Sequence, residues 1–199
     1  MTDKFLEKKE KILDSALQIF VTKGYSRARM DDIVEKSGMS KGSIYYHYKS
    51  KKDLFLSLID HWETHAFPNF YEKNKIEMSA SEILNSFAKV VADVFEKRKY
   101  VFLAEVEFWA LANRDADVQD RARILYQKIL ILFEKVMIKG INAGEFKKIN
   151  PRLAAIAIMT SLQGVNWFCI FDHKEFTVRD YLIEVINIMV QGFRIETSS

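Results

Sequence analysis

The chain has 199 residues, 49% of them hydrophobic, with only 2 prolines and 7 glycines. That composition supplies a real core, excludes a disordered or low-complexity chain, and favours long helices over many short strands. The formal charge is only +3, but residues 1–53 hold 12 Lys or Arg against 8 Asp or Glu while the remainder holds 18 against 19; the positive surplus lies at one end, as a footprint for nucleic acid should.

In chain order, a first helix is expected from Phe5 to Lys23, with Ile12, Leu13, Ala16, Leu17, Ile19 and Phe20 on one stripe. Its charged start does not read as a signal peptide. Gly24 ends it. A second short helix covers Met30 to Ser37, with Ile33 and Val34 inward. Gly38 supplies the backbone freedom for a tight turn, and Met39 is expected to plug the core beneath it. Ser40 caps a third helix that runs to His47. Ser50 and Asp53 make a capping-box-like start to a fourth, amphipathic through Leu54, Phe55, Leu58, Ile59 and Trp62 and ending near Pro68.

Five more helices follow. Ser79 and Glu82 form a capping box for about 80–98; a short apolar helix covers about 100–112 and a long one about 117–142. Asn150-Pro151 opens the next, expected to run unbroken to about 171. Thr177 and Asp180 open the last, to about Phe193, and the tail from Glu196 should fray. The nearly apolar run Leu153 to Ile170 is interrupted by Thr160, Ser161, Gln163, Gly164 and Asn166, which reads as a buried or interface helix and not a membrane span. Its single cysteine, Cys169, reads as a small buried hydrophobe; one cysteine cannot form an internal disulfide, which fits a reducing, cytoplasmic setting. The fold class is all-α, with a three-helix helix-turn-helix domain over 1–53, including the start of helix four, and a larger helical bundle over 54–199.

Helix, turn and second helix over Asp31 to His47 have the shape of a helix-turn-helix, whose second helix enters the major groove. Ile44 and Tyr48 are expected to pack inward. Lys41, Ser43, Tyr45, Tyr46 and His47 offer polar groups, and Gly42 would permit close approach to a duplex. Tyr45, Tyr46, His47, Lys49, Lys51 and Lys52 suit phosphates, and Arg27 and Arg29 lie just before helix two near the same face. Phosphate contacts fix position, so the base-reading candidates are Arg29, Lys41, Ser43 and Tyr45.

Residues 11–59 resemble the DNA-binding domain of the TetR family of bacterial one-component repressors. The resemblance is carried by Ile12-Leu-Asp-Ser-Ala16, Phe20, Lys23-Gly-Tyr25, Met30-Asp-Asp-Ile33, Ser37-Gly-Met-Ser-Lys-Gly-Ser-Ile-Tyr-Tyr-His-Tyr48 and Ser50-Lys-Lys-Asp-Leu54. It implies a homodimer that binds a twofold-symmetric operator and lets go when a small molecule occupies the larger domain. Carried onto this chain, Arg29, Lys41, Ser43, Tyr45, Tyr46, His47 and Lys51 match positions that contact DNA in the family. Ala28-Arg29 departs from the family's pair of hydroxyl residues; Arg29 can meet a phosphate by charge, but neither residue is a good cap. The C-terminal pattern Glu145-Phe146, Pro151 and Gln163-Gly164 is a looser likeness, compatible with a BetI- or YfiR-like subgroup.

The second half is rich in aromatics. Phe102, Glu105, Phe108 and Trp109 on the short helix, Tyr126 on the long one, and Gln163, Asn166 and Trp167 in the apolar run are the candidate lining of a mainly apolar effector pocket. Leu153, Ala154, Ala157, Ile158, Ser161, Leu162 and Val165, with Leu182, Val185, Ile186, Met189 and Val190, are the expected dimer faces of the last two long helices. Release would follow a shift of helices about 51–73 and 100–112 that moves paired reading heads out of register with successive grooves, roughly 34 to 36 Å apart. An alternative is a DNA-binding regulator or activator controlled by a protein partner or without a ligand. An enzyme is not expected, nor any cofactor or metal. His47, His61, His65 and His173 form no convincing ligand set, Cys169 has no visible base, and no phosphate loop is present.

Overall fold

The computed structural model describes residues 3–66, 77–171 and 174–195; the expected end of helix four near Pro68, the side chain of His65, His173 and the tail from Glu196 lie outside them. These residues form α1 (Asp3–Lys23), α2 (Met30–Ser37), α3 (Lys41–His47), α4 (Lys51–Ala66), α5 (Ala80–Arg98), α6 (Tyr100–Ala112), α7 (Ala116–Asn142), α8 (Pro151–Gln163), α9 (Val165–Ile170) and α10 (Val178–Phe193). The all-α class holds, and most ends lie where the capping residues put them. Two compact units result. One holds the chain up to His65 and again Tyr100–Arg123; the other holds Ala66–Lys99 and the chain from Ile124 onward.

In the first unit α1 packs on both α2 and α6. Its stripe of Ile12, Leu13, Ala16, Leu17 and Phe20 is buried, joined by Ile33, Ile44, Tyr48, Leu54, Phe55 and Leu58. Each Ile, Leu or Phe among them contributes about 1.5–3 kcal/mol by leaving water. Phe55 stands edge-on to both Phe20 (5.3 Å) and Phe108 (5.4 Å). Two polar bonds tie α6 to the earlier helices: the Trp62 indole N–H donates to the Val101 carbonyl at 2.8 Å, and the Tyr100 hydroxyl to Asp14 at 2.8 Å. Met39 is only half-buried; Ser37 is the buried residue at that turn, its hydroxyl donating to the Val34 carbonyl and accepting from the Met39 N–H.

In the second unit α10 packs along α5. Arg179 fixes that pairing, its guanidinium reaching Asp93 (2.6 Å) and both oxygens of Glu96 (2.8 Å). The start of α5 is capped twice. Ser79 and Glu82 form the expected box, and Glu145 accepts from the Ala80 and Ser81 N–H groups at 2.8 and 3.0 Å.

The helix expected over 151–171 is instead broken at Gly164 into α8 and α9. Gly164 and Trp167 make tight three-residue backbone bonds there, and the Tyr181 hydroxyl donates to the Ser161 carbonyl at 2.5 Å. A side chain on Gly164 would collide with that hydroxyl. Pro151–Ile170 is long and apolar enough to cross a membrane by length and composition (mean hydropathy 1.6), but the break falls inside it. The expected dimer faces also need correction. Ala154, Ile158, Leu162 and Val165 on α8 and α9, and Leu182, Ile186 and Val190 on α10, are buried in the chain's own core. Leu153, Ala157 and Ile188 are the outward residues. Cys169, expected buried, is half-exposed.

Candidate nucleic-acid interface

The reading motif is built from local bonds. Arg29 stands at the N-cap of α2 in extended conformation without a side-chain cap bond of its own. Asp32 supplies the cap, accepting the Arg29 backbone N–H at 2.8 Å while Lys23 donates to its other oxygen at 2.7 Å. The Lys23 bond, then the Arg29 N–H, hold the Asp32 carboxyl below its ordinary range. This is the reciprocal half of a capping box and satisfies the Arg29 N–H; with no hydroxyl at the N-cap, the Asp32 N–H turns to the Arg29 carbonyl at 3.1 Å. α2 ends at Gly38, in the left-handed region at φ 64°, whose N–H reaches the Val34 and Glu35 carbonyls.

Ser40 then caps α3, accepting the Ser43 N–H at 3.2 Å. Ile44 and Tyr48 face the core, and this fixes what faces outward. Tyr46 is 77% exposed and Tyr45 40%, a large apolar cost for a free surface. Lys41, Gly42 and Lys49 are exposed, Ser43 and His47 half-buried. No atom lies within 4 Å of where a Gly42 Cβ would stand. The His47 ring leans on Phe5 at 4.7 Å and meets Tyr46 edge-on at 5.3 Å. Lys41 pairs with Asp31 at 2.7 Å; that hydrogen bond holds its ammonium above the ordinary range. The pair is solvent-exposed and readily exchanged for another anion.

Arg27 and Arg29 are exposed, and the Arg27 Nε donates to the Lys23 carbonyl at 2.9 Å. The start of α4 matches the sequence with one change of partner. Ser50 accepts the Asp53 N–H, but Asp53 reaches back to the Lys49 N–H. Lys51, expected among the phosphate contacts, is engaged by partners within the protein. Its ammonium donates to the backbone carbonyls of Tyr25, Ser26 and Ala28 and lies 4.5 Å over the Tyr25 ring. Lys52 pairs with Asp115 (2.9 Å) and Asp117 (2.7 Å). Sequence reasoning missed these partners, because nothing local links a lysine at the start of α4 to a loop or turn so far along the chain. It also missed the Tyr48 oxygen, which is buried without a hydrogen-bond partner among the described residues.

The candidate effector residues divide between the two units. Phe102, Glu105 and Phe108 are buried in α6 of the first, with Trp109 half-buried beside them. Glu105 is the one charged side chain among the buried described residues. Tyr126, Gln163 and Asn166 are half-buried in the second unit. Trp167 is 59% exposed and stacks on Phe171, 5.9 Å away and nearly parallel. Among the described residues no group of His, Cys, Asp and Glu is disposed to hold a metal; His61 bonds the Ser57 carbonyl at 2.7 Å.

Residues 12–58 match the family model for bacterial regulatory proteins of the tetR family. The chain is 27% identical over 154 residues to the uncharacterized HTH-type transcriptional regulator YfiR of Bacillus subtilis (strain 168), covering 76% of this chain and 73% of the relative. Among solved structures it superposes on the transcriptional regulator FadR of Bacillus subtilis in complex with stearoyl-CoA (TM-score 0.77, 19% identity, 93% and 99% of the two chains). It also superposes on a transcriptional regulator of Saccharomonospora viridis in complex with choline (TM-score 0.80, 19% identity, 96% and 99%). At such identities these structures show the fold.

Proposed function

Since this chain is a TetR-family transcriptional regulator, we propose that it represses transcription as a homodimer on a palindromic operator and is released by a small hydrophobic or amphipathic effector. One observation carries the DNA-binding part. α3 is capped by Ser40 and pinned by Ile44 and Tyr48, and it turns Lys41, Gly42, Tyr45 and Tyr46 outward together. A rod so oriented meets base edges with Lys41, Ser43 and Tyr45 and phosphates with Tyr46, His47 and Lys49, while Arg27 and Arg29 reach the flanking backbone. Two-fold pairing is supported by the outer faces of α8 and α10, where Leu153 is 64% and Ile188 59% exposed. An apolar groove on α10 and the segment before it, lined by Phe176, Tyr181, Val185 and Ile188, adjoins them. Effector control is supported by Glu105, a buried carboxylate flanked by Phe102 and Phe108 on α6, the arrangement an amphipathic ligand with a polar or cationic end would use. The two superposed regulators were crystallised with an acyl-CoA and with choline.

The test is selection of bound duplexes from a random-sequence pool, then release by candidate acyl and quaternary-ammonium compounds. Tyr46→Ala should weaken binding to the selected duplex on the order of tenfold with helicity unchanged, and Glu105→Gln should blunt release without touching DNA affinity. A wild-type protein that prefers no duplex over random DNA at moderate salt would end the repressor reading.

A further inference from the structure

Lys51 and Lys52 are the first two residues of α4, and both ammonium groups are engaged inside one unit. The Lys51 Nζ donates to the carbonyl oxygens of Tyr25 at 2.7 Å and Ala28 at 2.9 Å, with Ser26 at 3.3 Å. An ammonium carries three donors, so this set fills it. The same Nζ lies over the Tyr25 ring, and that ring packs on Phe55 (4.6 Å) and Phe20 (5.6 Å). The three carbonyls belong to the loop between α1 and α2, the loop that carries Arg27 and delivers Arg29 to the N-cap of α2. Lys52 fixes the turn of α4 from which Lys51 acts: its Nζ bridges Asp115 and Asp117. Asp115 is itself held by the N–H groups of Asp117 and Val118 at the start of α7.

We propose that Lys51 is a positioning residue for DNA binding and not a phosphate ligand. It draws three loop carbonyls together so that Arg27 and Arg29 are presented at a fixed height beside α3. Swinging Lys51 out to a phosphate would strip all three carbonyls of their donor and lift the cation from the Tyr25 ring. Lys49, two residues earlier and exposed, already supplies an ammonium at that edge. This inference rests on the operator-binding reading above and assigns a division of labour within it.

The experiment measures affinity for the duplex selected by the wild type, across a salt series, for wild type, Lys49→Met, Lys51→Met and Lys51→Arg. Each lost phosphate contact lowers the slope of log affinity against log salt by about 0.9, so a substitution carried by both protomers of the dimer lowers it by about 1.8. Lys49→Met should show that loss. Lys51→Met should bind on the order of tenfold more weakly, with faster amide exchange at Ala28 and Arg29 as the loop that presents Arg27 and Arg29 loosens. Lys51→Arg, which can still donate to the carbonyls, should recover most of the affinity. A slope reduced by about 1.8 in Lys51→Met with loop exchange unaltered would overturn the assignment. Should Lys51→Met fail to fold, the Asp115→Asn/Asp117→Asn variant, which frees Lys52, should likewise speed exchange at Ala28 and Arg29; unchanged exchange there would count against the anchored loop. If the wild type selects no duplex, the operator reading fails while the exchange measurements still judge the loop anchor.

Discussion

Replacing Gly42 by alanine should move stability and DNA binding in opposite directions. Gly42 is the second residue of α3, exposed, with nothing within 4 Å of an added methyl. Alanine is favoured over glycine in a helix by about 0.8–1 kcal/mol. In the first turn of so short a helix a gain of roughly 0.5–1 kcal/mol is the fair expectation. For a chain of this length that is a rise in thermal midpoint of about 1–4 °C, or a small upward shift in the urea midpoint at constant slope. The same methyl would stand between α3 and the groove, and a tenfold loss of affinity for the selected duplex, about 1.4 kcal/mol, is expected. Circular dichroism melts and a fluorescence-anisotropy titration read the two effects separately. A variant that is more stable and binds as well as wild type would show that this part of α3 does not approach DNA. A less stable variant would refute the helical geometry of the first turn.

Tyr48→Phe should stabilise the protein by about 1 kcal/mol, because it removes a buried hydroxyl oxygen that has no partner; a drop in urea midpoint would mean that an ordered water serves that oxygen. Burial, and secondarily the Asp53 charge, hold the Tyr48 phenol protonated far above its ordinary value, so no tyrosinate absorbance from it should appear before unfolding in alkali. Gly164→Ala should cost about 1–3 kcal/mol through the clash with Tyr181, and less in a Tyr181→Phe background, where the hydroxyl is gone; equal costs in both backgrounds would disprove the coupling. The Arg179 bonds hold the Asp93 and Glu96 carboxyls below their ordinary 3.8 and 4.5. Their contribution is therefore complete above those values and is lost as pH falls through the lower folded ones, so Asp93→Asn/Glu96→Gln should flatten the acid limb of a stability–pH curve below about pH 4.5. An acid limb as steep as that of the wild type would remove these carboxylates from the account. Leu153→Asp with Ile188→Asp should yield folded monomers by equilibrium sedimentation at micromolar concentration; a persistent dimer would move the interface elsewhere.

What could be read from the residues alone was what short-range chemistry decides. Ser40, Ser79 with Glu82, Asn150-Pro151 and Thr177 with Asp180 all cap helices where the sequence places them, since a capping side chain bonds backbone within three residues. The inward pair Ile44 and Tyr48 followed from helical spacing. The break at Gly164 did not, because it depends on Tyr181 arriving from the next helix. Nor did the division of the apolar residues on α8 and α10. Both helices are apolar on more than one side, and periodicity cannot say which side the chain itself covers. The carbonyl partners of Lys51 were equally out of reach, because they lie 26 and 23 residues earlier, in the loop before α2.

The unit that holds the reading helices is discontinuous along the chain: α6 returns to it after α5 has been laid down in the other, and the bonds from Tyr100 to Asp14 and from Trp62 to Val101 stitch it shut. A fragment truncated after α4 would therefore be an incomplete body with a raw flank along α1, prone to stick to its neighbours. Anyone grafting this head onto another sensor should transplant 100–123 along with it, and during synthesis the head cannot finish folding until the ribosome has delivered that later segment.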